Sequence, residues 1–135
     1  MYAIPYEYYT DYKVRKYGAH GTSHKYLALV AKEKYLNKKK SPNVITCHLG
    51  SGASLAVIRD GKVVSTCMGL TPLAGVMMGT RTGDIDASSM FYLFKCTNKD
   101  AEEMFNIFNQ KSSLLGISGI SNDRRKVEKV VDKKK

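Results

Sequence analysis

No run of ~20 apolar residues occurs in the chain, which argues against a transmembrane helix. The opening Met1-Tyr2-Ala3-Ile4-Pro5 lacks a basic segment followed by an apolar one, so no signal peptide is expected. Cysteine is sparse: Cys47, Cys67 and Cys96 are odd in number, far apart and without C-x-x-C spacing. They read as free thiols in a reducing cytoplasm, and a zinc site is not expected. Acidic residues are outnumbered, 12 Asp+Glu against 22 Lys+Arg, for a net charge of +10. Such a surplus invites nucleic-acid binding. Its distribution argues otherwise, because much of it lies in Lys38-Lys39-Lys40 and from Arg124 to Lys135. Both stretches read as solvated surface or a frayed end, and there is no arginine–aromatic stripe or zinc-finger spacing. What remains is a 135-residue chain, 43% hydrophobic and 25% charged, an ordinary globular composition able to build a sizeable core. No internal repeat is visible.

The first segment is rich in tyrosine: Tyr2, Tyr6, Tyr8, Tyr9, Tyr12 and Tyr17. Pro5 suits a first helical turn, which predicts a short helix over about 5–12 with Glu7 near its positive end. Tyrosines there serve packing edges and interfaces. Next comes Tyr17-Gly18-Ala19-His20-Gly21-Thr22-Ser23-His24. Thr22 or Ser23 is expected to cap a helix running to about 36, with Tyr26, Leu27, Val30 and Leu36 as its approximate apolar stripe. A helix start with free N–H groups and two hydroxyls suits an anion, and His20 stands just ahead of it. On this motif alone, a turn residue followed by capping hydroxyls is the simpler reading. His24 is expected to be structural.

After a polar, basic loop over Asn37–Pro42, Val44–Leu49 reads as a buried strand. It ends in Gly50-Ser51-Gly52-Ala53-Ser54, a glycine-rich turn whose N–H groups could cradle phosphate or simply join two strands. No Gly-Lys-Ser/Thr follows, so it is not a Walker A loop. A second strand is expected over Ser54–Arg59, Asp60-Gly61 is a hairpin turn, and a third strand covers Lys62–Met68. Residues 43–68 therefore predict a three-stranded antiparallel meander.

The segment Gly69–Met77 is apolar but interrupted by Pro72 and Gly75, and is expected as a buried connection. It leads to Met78-Gly79-Thr80-Arg81-Thr82-Gly83-Asp84-Ile85-Asp86, which gathers a cation, two carboxylates and two hydroxyls. Arg81 offers a planar fork of donors suited to carboxylate or phosphate. Asp84 or Asp86 could instead cap the helix that begins near Ser88. Both readings stay open on these residues. That helix, Ser88–Cys96, should present a broad apolar face through Met90, Phe91, Leu93 and Phe94. Asp100-Ala101-Glu102-Glu103 has the pattern of a capping box opening a second helix to about 111.

Taken together, these segments resemble the middle of the acetate kinase family, within the actin-like ATPase superfamily. The segments that carry the likeness are Tyr17-Gly18-x-His20-Gly21-Thr22-Ser23-His24, His48-Leu49-Gly50-x-Gly52-Ala53-Ser54, Thr71-Pro72-Leu73-x-Gly75, Met78-Gly79-Thr80-Arg81-x-Gly83-Asp84-Ile85-Asp86 and Leu114-Leu115-Gly116-Ile117-Ser118-Gly119. The resemblance implies an α/β chain forming part of an actin-like fold, the three-stranded antiparallel meander plus helices. Residues 1–42 would be a helical segment leading into the active-site helix, 43–127 the opening part of a second actin-like domain, and 128–135 a basic tail. The implied reaction is reversible phosphoryl transfer from ATP to acetate with Mg²⁺, giving acetyl phosphate and ADP. By this resemblance His20 donates to the transferring group and Arg81 holds the carboxylate. His48, Gly50, Ser51 and Gly52 line the nucleotide phosphates, and Ala19 and Pro72 belong to the substrate pocket. No metal ligand falls in this chain. A homodimer of the full-length form is implied, with no membrane or nucleic-acid partner.

The chain also departs from the family's pattern. Ser51 stands where asparagine is usual, Ala19 where phenylalanine is usual, and Ala74 where an acidic residue is common. The loss of an aromatic ring at Ala19 predicts a looser acyl pocket open to propionate. Family enzymes are far longer, with further acetate-site residues before this stretch and the adenosine pocket after it. Little or no kinase activity is therefore expected of the isolated chain, since catalysis needs the whole constellation held in place. Two other readings stand beside this one: a propionate kinase of the same family, and a non-catalytic module for anion binding or dimerisation.

Overall fold

A computed structural model of the chain describes residues 1–36 and 43–132. The loop expected over Asn37–Pro42 and the last three lysines of the basic tail lie outside the described residues. The chain forms two compact units, Met1–Gly75 and from Val76 onward. Within the first unit, helix α2 (Gly21–Lys34) packs on strand β1 (Val44–Leu49).

The first unit begins with α1 (Glu7–Tyr12), whose first turn is closed by a Tyr8 N–H to Pro5 carbonyl bond of 3.1 Å. Its tyrosines pair along the surface, Tyr6 with Tyr9 and Tyr8 with Tyr12, at ring separations of 5.6 and 6.3 Å. The segment is tied down by backbone: the N–H groups of Tyr17 and Gly18 donate to the Gly69 carbonyl at 2.9 and 3.2 Å. The Tyr2 hydroxyl accepts the Leu70 N–H at 2.8 Å.

After α2, strands β1, β2 (Ala53–Arg59) and β3 (Lys62–Thr66) form the expected antiparallel meander in the order β1-β2-β3. Asp60 and Gly61 both take positive φ, 50° and 74°, as a two-residue hairpin turn of the primed type requires. The turn at 50–52 sets Leu49 opposite Ala53, His48 opposite Ser54 and Thr46 opposite Ala56. Side chains alternate between sheet faces, so Thr46, His48, Ser54 and Ala56 share one face.

This alternation corrects the expectation of a buried first strand. Only Thr46 is buried in β1, while Ile45 is 68% and Leu49 77% exposed. The helix covers one face, and an apolar run does not distinguish one-sided from two-sided burial. The expected stripe on α2 is also displaced. His24 and Ala28 are its buried residues, whereas Tyr26 and Leu36 are exposed. A four-residue step puts both on one side, and the small Ala28 lets the helix approach the sheet.

The connection after β3 is only partly buried: Met68, Gly69 and Gly75 are inside, but Leu70, Thr71, Pro72 and Met77 are exposed. Gly75 has φ +105°, and a Cβ there would stand 2.8 Å from Cys67 Sγ, so glycine is needed on two counts. Cys47, Cys67 and Cys96 are free.

The second unit holds α3 (Ala87–Cys96), α4 (Ala101–Gln110), α5 (Ser113–Ser118) and α6 (Arg124–Asp132). Asp86 caps α3, its Oδ1 accepting the Ser88 N–H at 2.9 Å. The capping box of α4 is complete: Asp100 Oδ1 accepts the Glu103 N–H at 2.8 Å and Glu103 Oε2 accepts the Asp100 N–H at 3.0 Å. Met104 and Phe108, one turn apart, are the buried anchors of α4.

The broad apolar face of α3 is not buried; Phe91 is 66% exposed and no residue of this helix is fully covered. Of the two readings of the stretch from Arg124, solvated surface fits and a frayed end does not: it is helical to Asp132, with no buried residue. Asp123 receives the Arg125 N–H at 3.0 Å, and an exposed Arg124–Glu128 pair spans one turn at 2.9 Å. Among the described residues, no helix is long and apolar enough to cross a membrane.

Candidate active site

The site in the first unit starts at a left-handed residue. His20, the N-cap of α2, has φ 59° and ψ 27°, a region that non-glycine residues enter rarely and histidine more readily than most. Strain of this kind collects at functional sites. No side chain caps α2, which corrects the expectation for Thr22 and Ser23. Ser23 is drawn elsewhere, its Oγ lying 2.9 Å from His48 Nδ1. The first turn of α2 therefore keeps the positive end of its dipole without a side-chain cap.

All three histidines of the chain meet here. The ring of His20 stacks on that of His48, 3.8 Å between centroids with planes 15° apart. His20 and His24 rings are 6.5 Å apart. His20 Nδ1 lies 2.7 Å from Ser54 Oγ, and His24 Nε2 lies 2.8 Å from the same oxygen. His24 Nδ1 lies 2.8 Å from Thr46 Oγ1, whose hydroxyl donates to the Ala56 carbonyl at 3.4 Å. His24 is 2% exposed and Ser54 fully buried. Burial, and secondarily the nearby His48, push the His24 imidazole below its usual pKa. His24 is thus the buried hub between helix and sheet. The covered sheet face is polar at Thr46, His48 and Ser54, and buried polar groups persist only when hydrogen-bonded.

Beside the histidines lies the 50–52 turn. The Gly50 N–H is committed to the Gly52 carbonyl at 3.0 Å, so it closes the turn. The exposed residue of the loop is Ser51, which can offer a ligand its N–H and its hydroxyl, whereas Gly52 is buried. A Cβ on Gly50 would stand 3.6 Å from His48 Nε2, in ordinary van der Waals contact, which places the turn beside that ring. On the other side, Ala19 lines a cavity of about 270 Å³ with Tyr17, Gly18, His24, Val63 and Thr66. Pro72, expected as its companion, is exposed and does not line that cavity.

Arg81 belongs to the second unit, where Met78–Asp86 is laced to the ends of α4 and α5. The Met78 N–H donates to Ser113 Oγ at 2.8 Å, the Thr80 hydroxyl to the Asn109 carbonyl at 2.8 Å, and the Thr82 N–H to the Phe108 carbonyl at 3.0 Å. The Ser112 N–H returns to the Thr80 carbonyl at 2.9 Å. The hydroxyls of this stretch and Asp86 thus serve the fold, and Arg81 is held half-buried between anchored neighbours. Among the described residues, no group of three or more His, Cys, Asp or Glu side chains could hold a metal.

Motif reading quoted Ser54 within the Gly50–Ser54 segment without giving it a role, and it did not single out Thr46. The signal for them is strand register: with the turn at 50–52, His48 must face Ser54 and Thr46 must face Ala56.

The chain as a whole is similar to known proteins. An acetate kinase of Thermoanaerobacterium thermosaccharolyticum is 57% identical over 129 residues, 95% of this chain and 32% of that protein. The crystal structure of Porphyromonas gingivalis acetate kinase matches with a TM-score of 0.94 at 39% identity, covering 98% of this chain and 33% of the other. A propionate kinase from Francisella tularensis matches with a TM-score of 0.91 at 48% identity, covering 98% of this chain and 34% of the other. The chain spans about a third of the length of the relatives it matches. The acetokinase family model covers residues 1–135, and the chain belongs to that family.

Proposed function

We propose that this chain supplies phosphoryl-handling residues of an acetate kinase, in which ATP and acetate give ADP and acetyl phosphate reversibly. The observation that carries the reading is the convergence of His20, His48 and the Gly50–Gly52 turn at the uncapped start of α2. In-line phosphoryl transfer asks the protein for positioning and charge stabilisation rather than a covalent intermediate. His20 serves the transferring group. His48 Nε2 and the N–H and hydroxyl of Ser51 serve the nucleotide phosphates, with Gly50 and Gly52 shaping the turn. Arg81 takes the acyl carboxylate as a bidentate cation. Mg²⁺ would enter with the nucleotide, since it binds largely through substrate phosphates and water. A homodimer of the longer protein fits the exposed Phe91 and Tyr92 of α3. Three free thiols fit a reducing cytoplasm.

Propionate is the alternative acceptor. The cavity beside the small Ala19 favours it, and one solved neighbour is described as a propionate kinase. Chains of this length supply part of the constellation, so we expect weak or no turnover from the chain alone. Titrating the isotope-labelled chain with ATP or acetyl phosphate tests the reading. His20 and His48 resonances should move more than those of His24. Unmoved His20 and His48 at millimolar ligand would contradict it, and a steep salt dependence of RNA or DNA affinity would favour nucleic-acid binding instead.

A further inference from the structure

Tyr2 is half-buried, whereas Met1, Ala3, Ile4 and Pro5 around it are exposed. Its hydroxyl accepts the Leu70 N–H at 2.8 Å, across 68 positions of sequence. A backbone N–H can only donate, so this bond has one direction. Gly69 makes room for it: a Cβ there would run into the Tyr2 hydroxyl oxygen and stand 3.3 Å from Ala74 Cβ. The other pole of the same peptide group, the Gly69 carbonyl, accepts the N–H groups of Tyr17 and Gly18 at 2.9 and 3.2 Å. A peptide group is planar, so its N–H and its carbonyl turn together. Holding the Leu70 N–H therefore also aims the Gly69 carbonyl at the backbone two residues ahead of His20. The base of this connection is fixed on β2, where the Cys67 N–H donates to the Leu55 carbonyl and Cys67 Sγ accepts the Leu55 N–H, both at 3.1 Å. Ser54, the neighbour of Leu55, lies 2.7 Å from His20 Nδ1. The contacts close a ring, from β2 through Cys67, Gly69 and Gly18 to His20 and back to β2.

We propose that Tyr2 is a positioning residue: by holding the peptide plane between Gly69 and Leu70, its hydroxyl sets the backbone that carries Ala19 and His20. The consequence for phosphoryl transfer rests on the function proposed above; the positioning does not. Hydrogen bonds at the two poles of one peptide group polarise each other, so losing one weakens the other. With phenylalanine at position 2 the ring still packs over Gly69, but the plane is no longer held at its N–H pole. The grip of the Gly69 carbonyl on Tyr17 and Gly18 then slackens, and the loop that ends in the left-handed His20 gains freedom.

Amide exchange and side-chain spectra of the 135-residue chain and of Tyr2→Phe test this. In the variant the Leu70 amide should exchange roughly three- to tenfold faster, the scale of one net hydrogen bond. The Tyr17 and Gly18 amides should quicken with it. The Ala19 methyl and the His20 ring resonances should shift, while the His24 ring, held by Thr46 and Ser54, stays in place. A tyrosine that merely packs the terminal segment would change Leu70 alone. Unmoved Ala19 and His20 in the folded variant would therefore overturn the proposal. If Tyr2→Phe does not fold, the unmodified chain decides. Its Leu70, Tyr17 and Gly18 amides should be protected together, and a Leu70 amide that exchanges as in an open chain would overturn the proposal. Shifts at His20 in Tyr2→Phe, with no response of His20 to ATP or acetyl phosphate in either chain, would leave the positioning role standing and remove the proposed function.

Discussion

The imidazoles of His20 and His48 lie face to face, 3.8 Å between ring centroids and 15° apart in plane. Each is steered by a serine from another element, His20 by Ser54 of β2 and His48 by Ser23 of α2. Ser23→Ala should therefore release His48 rather than uncap a helix. We expect a loss of about 0.5–1.5 kcal/mol in stability, the usual net worth of such a bond, and weaker phosphate binding. Urea unfolding together with phosphate-dependent shifts of the His48 resonances checks this. A loss of stability confined to hydrogen exchange at the first turn of α2 would instead indicate a capping role.

The buried His24 makes stability depend on pH with a definite sign. Its folded pKa lies below the ordinary 6.5 because burial, and secondarily His48, disfavour the imidazolium. Unfolded chains therefore bind more protons at this residue, and stability rises with pH across the window. The stability that neutral His24 preserves is fully present above about pH 6.5 and is lost as pH falls below that value. Urea midpoints measured from pH 8 to pH 5 should fall more steeply for the unmodified chain than for His24→Asn. Parallel slopes would show that His24 does not titrate on unfolding.

Ala19 borders the cavity shared with Tyr17, Gly18, His24 and Thr66. If this space admits the acyl group, Ala19→Phe should fill it and favour acetate over propionate. A change of roughly tenfold or more in relative kcat/KM fits the worth of a methylene in an apolar pocket. Competition between the two acids, with flanking segments of a curated relative supplied, reads the ratio. An unaltered ratio would separate this cavity from the acyl site.

Asp100→Ala should cost about 1 kcal/mol by removing the cap from α4. Amide exchange should quicken at Glu103 and its first-turn neighbours while β1 and β2 keep their protection. Unchanged exchange at Glu103 would mean the capping box contributes nothing in solution.

The capping box at Asp100–Glu103 and the hairpin at Asp60-Gly61 were legible in the sequence, while Asp86 was one of two open candidates for the cap of α3. Each is set by residues within three positions of one another, so local chemistry decides it. The meander was legible for the same reason. One-sided burial of β1 was not, because Ile45 and Leu49 look alike whether a second layer covers them or not. The cap expected from Thr22 or Ser23 failed because α2 already starts at Gly21 with the left-handed His20 as its N-cap, which puts both hydroxyls inside the first turn. Family resemblance brought out His20, His48 and Arg81, which single motifs left ambiguous. It gave no role to Ser54 and did not single out Thr46, because what both do depends on register across β1 and β2.

The most direct test is ATP-dependent acetyl phosphate formation by the chain combined with the flanking segments of a curated relative, against His20→Asn and Arg81→Ala. Asparagine tolerates the left-handed backbone at position 20, so that variant removes the imidazole and spares the fold. Turnover in the combined system that falls about a hundredfold or more in each variant is the predicted result, the scale set by losing one transition-state donor. Turnover indifferent to both substitutions, or none in a folded and assembled combination, would contradict the account.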